Sequence, residues 1–244
     1  MTESLRGIEI EKHFKNFALK PMSFEIERGH LTGLVGVNGA GKSTLINILA
    51  GIDGRYRGQV QIGKLDLRKD YEKAKQKIAL VSERTSFFMD KTPLENGEFL
   101  GKYFDNWQME ELYKWLDRFK LPKGQSLSQF SKGMYMKYQL AFAMSYHPEY
   151  LLLDEPTAGF DPVFRKEFGE IIQEIRNQEI GILMSTHILN DIESIADYVM
   201  VIANGELKLH ESKENIAKKS IQDLLETFLT EHVSIRDLLK KRSD

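Results

Sequence analysis

The chain has 244 residues, of which 41% are hydrophobic and 29% are charged, so its composition is that of an ordinary globular protein with a packed core. Its formal net charge of -2 gives no overall attraction to nucleic acid, and no nucleic-acid partner is expected. It contains no cysteine, which excludes disulfides and thiolate metal sites. There is no pattern typical of a secretory signal, and no apolar run approaches the ~20 residues that span a bilayer. These features predict a cytoplasmic protein that reaches a membrane only through a partner.

The first predicted elements are strands. Residues 8–14 and 21–27 alternate apolar with charged side chains, as half-exposed strands do, and residues 31–35 form a short apolar run that is typical of a buried strand. Two further short segments, residues 58–63 and 77–81, have strand character. The sequence therefore predicts a strand-rich N-terminal layer that leads into the segment described next.

Residues 36–44 fit G-x-x-x-x-G-K-[ST], the pattern of a phosphate-binding loop, between a predicted strand and a predicted helix. Its glycines let backbone N–H groups approach phosphates, and the helix N-terminus adds partial positive charge. Lys42 can reach the β- and γ-phosphates, and the Ser43 hydroxyl can ligate Mg²⁺. The predicted nucleotide-binding residues of the loop are Gly36, Asn38, Gly39, Ala40, Gly41, Lys42, Ser43 and Thr44. The sequence therefore predicts binding of a nucleoside triphosphate.

Helix formers and both tryptophans dominate the next block, about residues 85–147. One apolar stripe at helical spacing lies between residues 112 and 119, and a second helix is predicted over residues 131–146. The tryptophans, Trp107 and Trp115, are expected to be anchors in a core or an interface. This block is interpreted as a helical subdomain inserted into an α/β core.

Buried strands and helices alternate in the remainder. Residues 150–153 and 180–184 are apolar runs typical of strands covered on both faces, and helices are predicted after Asp161 and near residues 189–196. Residues 198–209 resemble a hairpin that turns at an Asn-Gly pair. The alternation predicts a mostly parallel sheet.

The tail over residues 211–244 has a helical pattern, with an apolar stripe whose function stays open between packing on the chain's own core and binding a partner. The stripe consists of Ile221, Leu224, Leu225, Phe228 and Leu229.

Three further segments contain candidate catalytic or binding residues. Asp154 ends a predicted buried strand, where Mg²⁺ would lie beside the phosphates, and Glu155 offers a second carboxylate that could polarise a water for attack on the γ-phosphate; a helix-capping role is the structural alternative. His187 could hydrogen-bond the γ-phosphate, although a lone histidine in a loop often has no such role. Ser131 with Gly133 could either cap a helix or bind an anion at its N-terminus.

With these motifs in this order, residues 8–209 resemble the nucleotide-binding subunit of ABC transporters. Residues 36–43 are similar to the Walker A loop, residues 131–133 to the signature, residues 150–155 to Walker B, and His187 to the switch histidine. Residues 158–161 are similar to the family's D-loop, although only the final aspartate matches the usual pattern.

The resemblance implies the ABC ATPase form of the P-loop NTPase fold: a mostly parallel core sheet, an N-terminal antiparallel β layer and an inserted α-helical subdomain, within an ATP-binding domain of residues 1–210. It implies ATP and Mg²⁺ as cofactors, Glu155 and His187 as catalytic residues, and Ser43 and Asp154 as metal ligands. It also implies a head-to-tail dimer, of like or unlike subunits, in which each ATP lies between one phosphate loop and Ser131 and Gly133 of the other subunit. ATP hydrolysis by the dimer would drive a transmembrane permease, which places the subunit on the inner face of the cell membrane.

The chain departs from the family's commonest pattern at several positions. The signature reads Phe-Ser-Lys-Gly-Met, and Glu83 occupies the place of the Q-loop glutamine, where its carboxylate could ligate Mg²⁺ or a bound water. The adenine-stacking aromatic is Phe14 or Phe17, and a core role for either ring is an alternative.

These departures are similar to those of ABC-2 type exporters, which include antibiotic- and bacteriocin-resistance systems, and they imply export of a peptide, an antibiotic or another amphipathic compound. The alternative is a soluble ABC-family ATPase that acts on ribosomes or DNA. A P-loop kinase or GTPase is disfavoured by residues 131–133 and by the Asp154–Glu155 pair.

Overall fold

The computed structural model describes residues 4–83, 86–188 and 190–216, which form two sheets and a set of helices. The strands are β1 (Ser4–His13), β2 (Ala18–Glu27), β3 (Leu31–Val35), β4 (Arg57–Ile62), β5 (Leu65–Asp66), β6 (Ile78–Ser82), β7 (Tyr150–Asp154), β8 (Gly181–Thr186), β9 (Tyr198–Ala203) and β10 (Glu206–Ser212). The helices are α1 (Lys42–Leu49), α2 (Tyr71–Gln76), α3 (Pro93–Leu100), α4 (Met109–Arg118), α5 (Lys132–Met144), α6 (Pro162–Arg176), α7 (Asn190–Glu193) and α8 (Lys213–Ile216).

The larger sheet has the order β10-β9-β3-β8-β7-β6 and is parallel except for β10, which runs antiparallel to β9. Both faces are covered: Leu151 and Leu153 of β7 belong to one hydrophobic cluster, whereas Tyr150 and Leu152 belong to another on the opposite face. A strand buried on both faces reads as a continuous apolar run, which is why the sequence locates β7. The prediction of a mostly parallel core sheet is confirmed.

The smaller sheet is antiparallel, with the order β2-β1-β4-β5. Its inner face shares a hydrophobic cluster with α1, in which Leu5 and Ile26 of the sheet and Ile46 of the helix are fully buried. The predicted N-terminal antiparallel layer is therefore confirmed, and it positions α1, the helix that begins at the phosphate loop. The strands β1 and β2 both begin before the predicted segments, because their pairing runs from Ser4 opposite Glu27 to His13 opposite Ala18. Register shifts between Gly7 and Lys12 interrupt it on β1.

The helical block contains α3, α4 and α5, which pack on the hydrophobic cluster that includes Leu151 and Leu153. Trp115 is 8% exposed, and Trp107 packs on the cluster with its ring 4.7 Å from that of Phe142, so the anchor role predicted for the tryptophans is confirmed. The helix predicted over residues 131–146 is α5, with Ser131 as its N-cap. A capping box of Thr92 and Glu95 begins α3. The division of the chain into a domain of residues 1–210, a helical subdomain near 85–147 and a tail stays a prediction.

Two predicted helices differ from the observed ones. The helix expected near residues 189–196 is reduced to α7, because Asp197 accepts a hydrogen bond from the Leu31 backbone N–H (2.8 Å) and draws the chain into the sheet. The tail begins as strand, since β10 remains paired with β9 up to Ser212. The apolar stripe between residues 221 and 229 lies outside the described residues. Among those described, no helix is both long and apolar enough to cross a membrane.

Candidate functional site

Three neighbouring strands deliver the predicted chemistry to one edge of the larger sheet. The phosphate loop follows β3, Asp154 ends β7, and His187 follows β8, which pairs with both of the other strands. The carboxyl ends of parallel strands lie at a common edge, so groups more than a hundred residues apart meet there.

The loop before α1 depends on glycine at several positions. Gly41 caps the helix at φ 112° with no side chain occupying the N-terminal N–H groups, and no acidic residue lies in the first turn. Gly39 has φ 81°, and a Cβ on it would meet nothing within 4 Å, so this backbone faces open space. A Cβ on Gly36 would instead strike the Ile202 carbonyl oxygen of β9. The loop is thus fitted tightly to the sheet on one side and open on the other, as a phosphate cradle requires.

The Asn204-Gly205 turn between β9 and β10 contacts this loop through a backbone hydrogen bond. Both residues have positive φ, as a two-residue hairpin turn of this type demands, and the Gly205 N–H donates to the Ala40 carbonyl at 3.1 Å. Sequence reasoning located the hairpin and did not connect it to the site.

Lys42 is only 5% exposed, and its ammonium is held at the mouth of the loop. It donates to the Gly36 carbonyl at 2.7 Å and lies 3.0 Å from Glu155 Oε1. The cation expected to bind phosphate and the carboxylate expected to orient water are therefore in direct contact.

Asp154 is placed by two hydroxyls. Ser43 Oγ donates to Asp154 Oδ1 at 3.0 Å, and Ser185 Oγ of β8 donates to the same oxygen at 2.8 Å. The Ser185 hydroxyl also accepts from the Glu155 backbone N–H at 2.9 Å, so one fully buried side chain positions both acids. Ser185 was not singled out in the sequence, where a serine in an apolar strand carries no distinctive signal.

A magnesium nucleotide fits these groups. A hydroxyl and a carboxylate at adjacent positions are hard oxygen ligands of the kind Mg²⁺ takes alongside phosphate oxygens. The uncapped N–H groups of α1 and the open backbone at Gly39 offer donors to the phosphates. Among the described residues, no group of three or more His, Asp or Glu side chains could hold a metal by itself.

Glu155 has a strained backbone that its neighbours hold in place. Its φ of 50° is left-handed, which costs a residue with a side chain about 1–3 kcal/mol. Besides Ser185 and Lys42, His187 fixes it, with Nδ1 2.7 Å from Glu155 Oε2. The structure therefore brings together the two predicted catalytic residues, and such over-determined strain is typical of functional sites.

A second contact joins the segments that carry these two residues. Thr157, 2% exposed, donates from Oγ1 to Asp191 Oδ2 at 2.5 Å, linking the turn after Glu155 to α7 after His187. No feature of the sequence distinguished either residue.

A cleft of about 670 Å³ lies between the loop and residues 14–17, which carry the two candidates for adenine stacking. Phe14 and Phe17 both line it, with ring centroids 6.1 Å apart. Phe14 is 47% exposed, whereas Phe17 packs against the hydrophobic cluster around α1. The exposed face of Phe14 suits base stacking, and the partly buried position of Phe17 suits a supporting role. Asn38 and Thr44 line the same cleft.

The predicted signature residues lie elsewhere, at the N-terminus of α5, and do not line the cleft. Ser131 Oγ accepts from the Met134 backbone N–H at 3.2 Å, so the serine acts as an N-cap. A Cβ on Gly133 would come within 2.8 Å of the Phe164 ring, so a glycine is needed for α5 to approach α6. Within one chain the phosphate loop and the signature segment are separate.

Glu83 was expected to ligate Mg²⁺, and the structure directs its carboxylate elsewhere. Glu83 Oε1 lies 2.5 Å from the Lys132 ammonium of the signature segment, and the side chain is 62% exposed. The structure therefore places the Glu83 carboxylate at the signature segment, in an exposed ion pair.

A second cavity of about 600 Å³ lies between β6 and the helical block. Its lining is largely apolar and includes Leu80, Phe87, Leu100, Phe142 and Tyr146. Burial raises the pKa of the Tyr146 hydroxyl well above its usual range, so this group stays protonated. The cavity shares no residue with the phosphate cleft.

Comparison with known proteins agrees with this geometry. A family model described as "ABC transporter" matches residues 19–158. The chain is 28% identical to the linearmycin resistance ATP-binding protein LnrL of Bacillus subtilis, over 96% of this chain and 79% of that protein. It is 30% identical to the bacitracin transport ATP-binding protein BcrA of Bacillus licheniformis, over 91% and 74%. A solved structure titled "Structure of ATP binding subunit of ABC transporter" superposes with a TM-score of 0.82 at 27% identity, covering 93% of this chain and 99% of that one.

Proposed function

The chain belongs to the ABC transporter family, and we propose that it binds and hydrolyses ATP to drive a separate transmembrane permease. The observation that carries the proposal is the position of Glu155, held between Lys42 (3.0 Å) and His187 (2.7 Å) at the open side of the phosphate loop. A carboxylate next to a phosphate-binding cation is where a water would be oriented for in-line attack on the γ-phosphate.

Each group then has a defined task. The N–H groups at the start of α1 and the Lys42 ammonium bind the phosphates. Ser43 with Asp154 would hold Mg²⁺, which would supply charge neutralisation for the transferred phosphoryl group. Glu155 accepts a hydrogen bond from the attacking water and orients it. His187 holds the Glu155 carboxylate through Nδ1 and presents its ring to the γ-phosphate. Phe14 stacks on adenine at the far end of the cleft.

The signature segment supports a head-to-tail dimer. Ser131 and Gly133 lie at the start of α5, outside the cleft of their own chain. Ser131 is exposed and Gly133 is partly exposed. A helix N-terminus of this kind can receive the γ-phosphate of an ATP held by another subunit. ATP would then be enclosed only in the dimer, whether the second subunit is a copy of this chain or a different one.

The permease and the direction of transport are supported by relatives. The proteins named for linearmycin resistance and bacitracin transport are similar over most of their length. We therefore assign to this chain export of a peptide, an antibiotic or another amphipathic compound, from the inner face of the cell membrane. Co-expression with candidate permeases tests this part, because the chain should co-purify with its own permease and not with unrelated membrane proteins.

The test of the ATPase assignment is Glu155→Gln. It removes the carboxylate that orients water and preserves the phosphate loop, so turnover should fall by about 10²–10⁴-fold while ATP affinity is retained. In size-exclusion chromatography with ATP and Mg²⁺ the variant should run as a dimer. Glu174→Gln, an exposed carboxylate paired with Arg118, is the matched control and should turn over ATP normally. Full ATPase activity in the Glu155 variant would contradict the assignment.

A further inference from the structure

Two departures from the family's usual pattern meet in one contact. The signature carries Lys132 between Ser131 and Gly133, and Glu83 follows β6; their side chains form an ion pair of 2.5 Å. The Lys132 ammonium also donates to the Ala158 carbonyl at 2.8 Å and lies 5.4 Å from the centre of the Phe160 ring. One cation thus joins the signature segment, the end of β6 and the turn that follows Glu155.

We propose that Lys132 is a positioning residue that, with Glu83, sets where Ser131 and Gly133 stand relative to the catalytic edge of the same chain. This inference rests on the proposed function, because it assigns a role in ATP turnover by the dimer. It also replaces the metal-ligand role for Glu83 with that of an ion-pair partner.

Stability alone does not account for the pair. The side chains are 49% and 62% exposed, and exposed ion pairs contribute little to the free energy of unfolding because water and salt screen them. Such a pair can still favour one relative position of the signature segment and the end of β6. A small difference in free energy is sufficient to shift an equilibrium between two positions.

The surrounding packing makes that position consequential. A Cβ on Gly133 would lie 2.8 Å from the Phe164 ring of α6, and the tilted rings of Phe160 and Phe164 have their centres 4.0 Å apart. The start of α5 therefore rests on the segment that joins β7 to α6. On its other side α5 holds the end of β6, where Gln139 Oε1 accepts from the Ser82 backbone N–H at 3.2 Å. A shift at Glu83 would be passed through Lys132 to the segment that leads back to Glu155.

The same helix offers a matched control. Lys137 of α5 pairs with Glu167 of α6 at 2.6 Å and lies 5.7 Å from the Phe164 ring, so it repeats the ion pair and the ring contact. It joins α5 only to α6 and touches neither Glu83 nor the turn after Glu155.

A double-mutant cycle tests the proposal. Lys132→Met and Glu83→Gln should each lower kcat for ATP several-fold, and the double variant should be no slower than the slower single variant, because both changes remove one interaction. ATP affinity and the Mg²⁺ concentration for half-maximal rate should stay within twofold of the original. Lys137→Met with Glu167→Gln should leave kcat unchanged. Multiplied losses in the double variant, or a raised Mg²⁺ requirement confined to Glu83→Gln, would overturn the proposal in favour of a separate metal role.

A second measurement does not depend on turnover. In the nucleotide-free protein, amide hydrogen exchange over residues 128–135 should accelerate to the same degree in both single variants and no further in the double variant. Unchanged exchange in all three would overturn the positioning role. If exchange responds as expected and the unsubstituted chain hydrolyses no ATP, the contact stands and the proposed function fails, so the two outcomes are distinct.

Discussion

The phosphate loop and the signature segment both bring a helix N-terminus to the surface, and they are built in opposite ways. At α1 the cap is a glycine that leaves the first N–H groups free, and Lys42 beside it is 5% exposed. At α5 the cap is Ser131, whose hydroxyl already accepts from Met134, and the neighbouring Lys132 is 49% exposed and paired with Glu83. The first is a preorganised binding site, whereas the second is an exposed surface held by a contact that salt can screen. Under the proposed function, this difference means that affinity for ATP would belong to one subunit and that turnover would depend on how two subunits are placed together.

The largest effect is expected from a substitution in the phosphate loop. Lys42→Ala removes a charge-assisted donor to the phosphates and leaves Glu155 without its partner, so ATP affinity should fall by roughly a hundredfold or more. Fluorescent-nucleotide titration measures this directly. Lys75→Ala, a lysine that donates to the Ala50 carbonyl beyond the cleft, is a control for loss of a lysine and should bind ATP normally. Unchanged affinity in the Lys42 variant would contradict its phosphate role.

The exposed side is tested by mixing subunits. Ser131→Ala should retain ATP affinity and lose most turnover, while the Lys42 variant loses binding. A dimer with one of each keeps one intact composite site, formed by Lys42 of the Ser131→Ala subunit and Ser131 of the Lys42→Ala subunit. Mixed samples should therefore regain activity that neither variant has alone, as measured by phosphate release against the ratio of the two. No recovery at any ratio would argue against sites shared between subunits.

A smaller effect is expected where the two acids are positioned. Ser185→Ala removes a donor to Asp154 and an acceptor from the Glu155 N–H, each worth about 1–3 kcal/mol in a buried setting, so kcat should fall about 10–100-fold and the Mg²⁺ requirement should rise. Thr32→Val on adjacent β3 is the matched control: its buried hydroxyl has no hydrogen-bond partner in the described part of the chain. That variant should keep full activity. Equal losses in both would indicate general damage to the sheet.

The smallest effect concerns the base. Phe14→Ala removes a stacking surface worth about 1–3 kcal/mol, so ATP affinity should fall about five- to a hundredfold with little change in kcat. Phe17→Ala should instead lower the melting temperature, because that ring packs on the cluster around α1. Paired titration and thermal unfolding of the two variants separate these roles. The assignments are exchanged if Phe17→Ala alone loses affinity at unchanged stability.

Local patterns explain what could be predicted from the chain. The glycine spacing of residues 36–44, the double-faced apolar run of β7 and the Asn-Gly turn each encode their conformation within a few residues, and the structure shows all three. Ser185, Thr157 and Asp191 could not be identified, because a hydroxyl or carboxylate gains its role only from a partner about 30 residues away. The ends of α7 and β10 were predicted wrongly: α7 stops at Glu193, before Asp197 accepts from the Leu31 N–H of β3, and β10 stays paired with β9 up to Ser212.

The sequence by itself determined that a phosphate loop exists, that two acids follow a buried strand, and that the sheet is mostly parallel, because glycine geometry and apolar periodicity are local properties. The tertiary structure alone decided which groups meet. It placed Glu155 between Lys42 and His187. It also brought two hydroxyl donors to Asp154 and paired Glu83 with Lys132. The physical reason is that a charged side chain pairs with whatever the fold brings within a few ångströms, and spacing along the chain does not contain that distance.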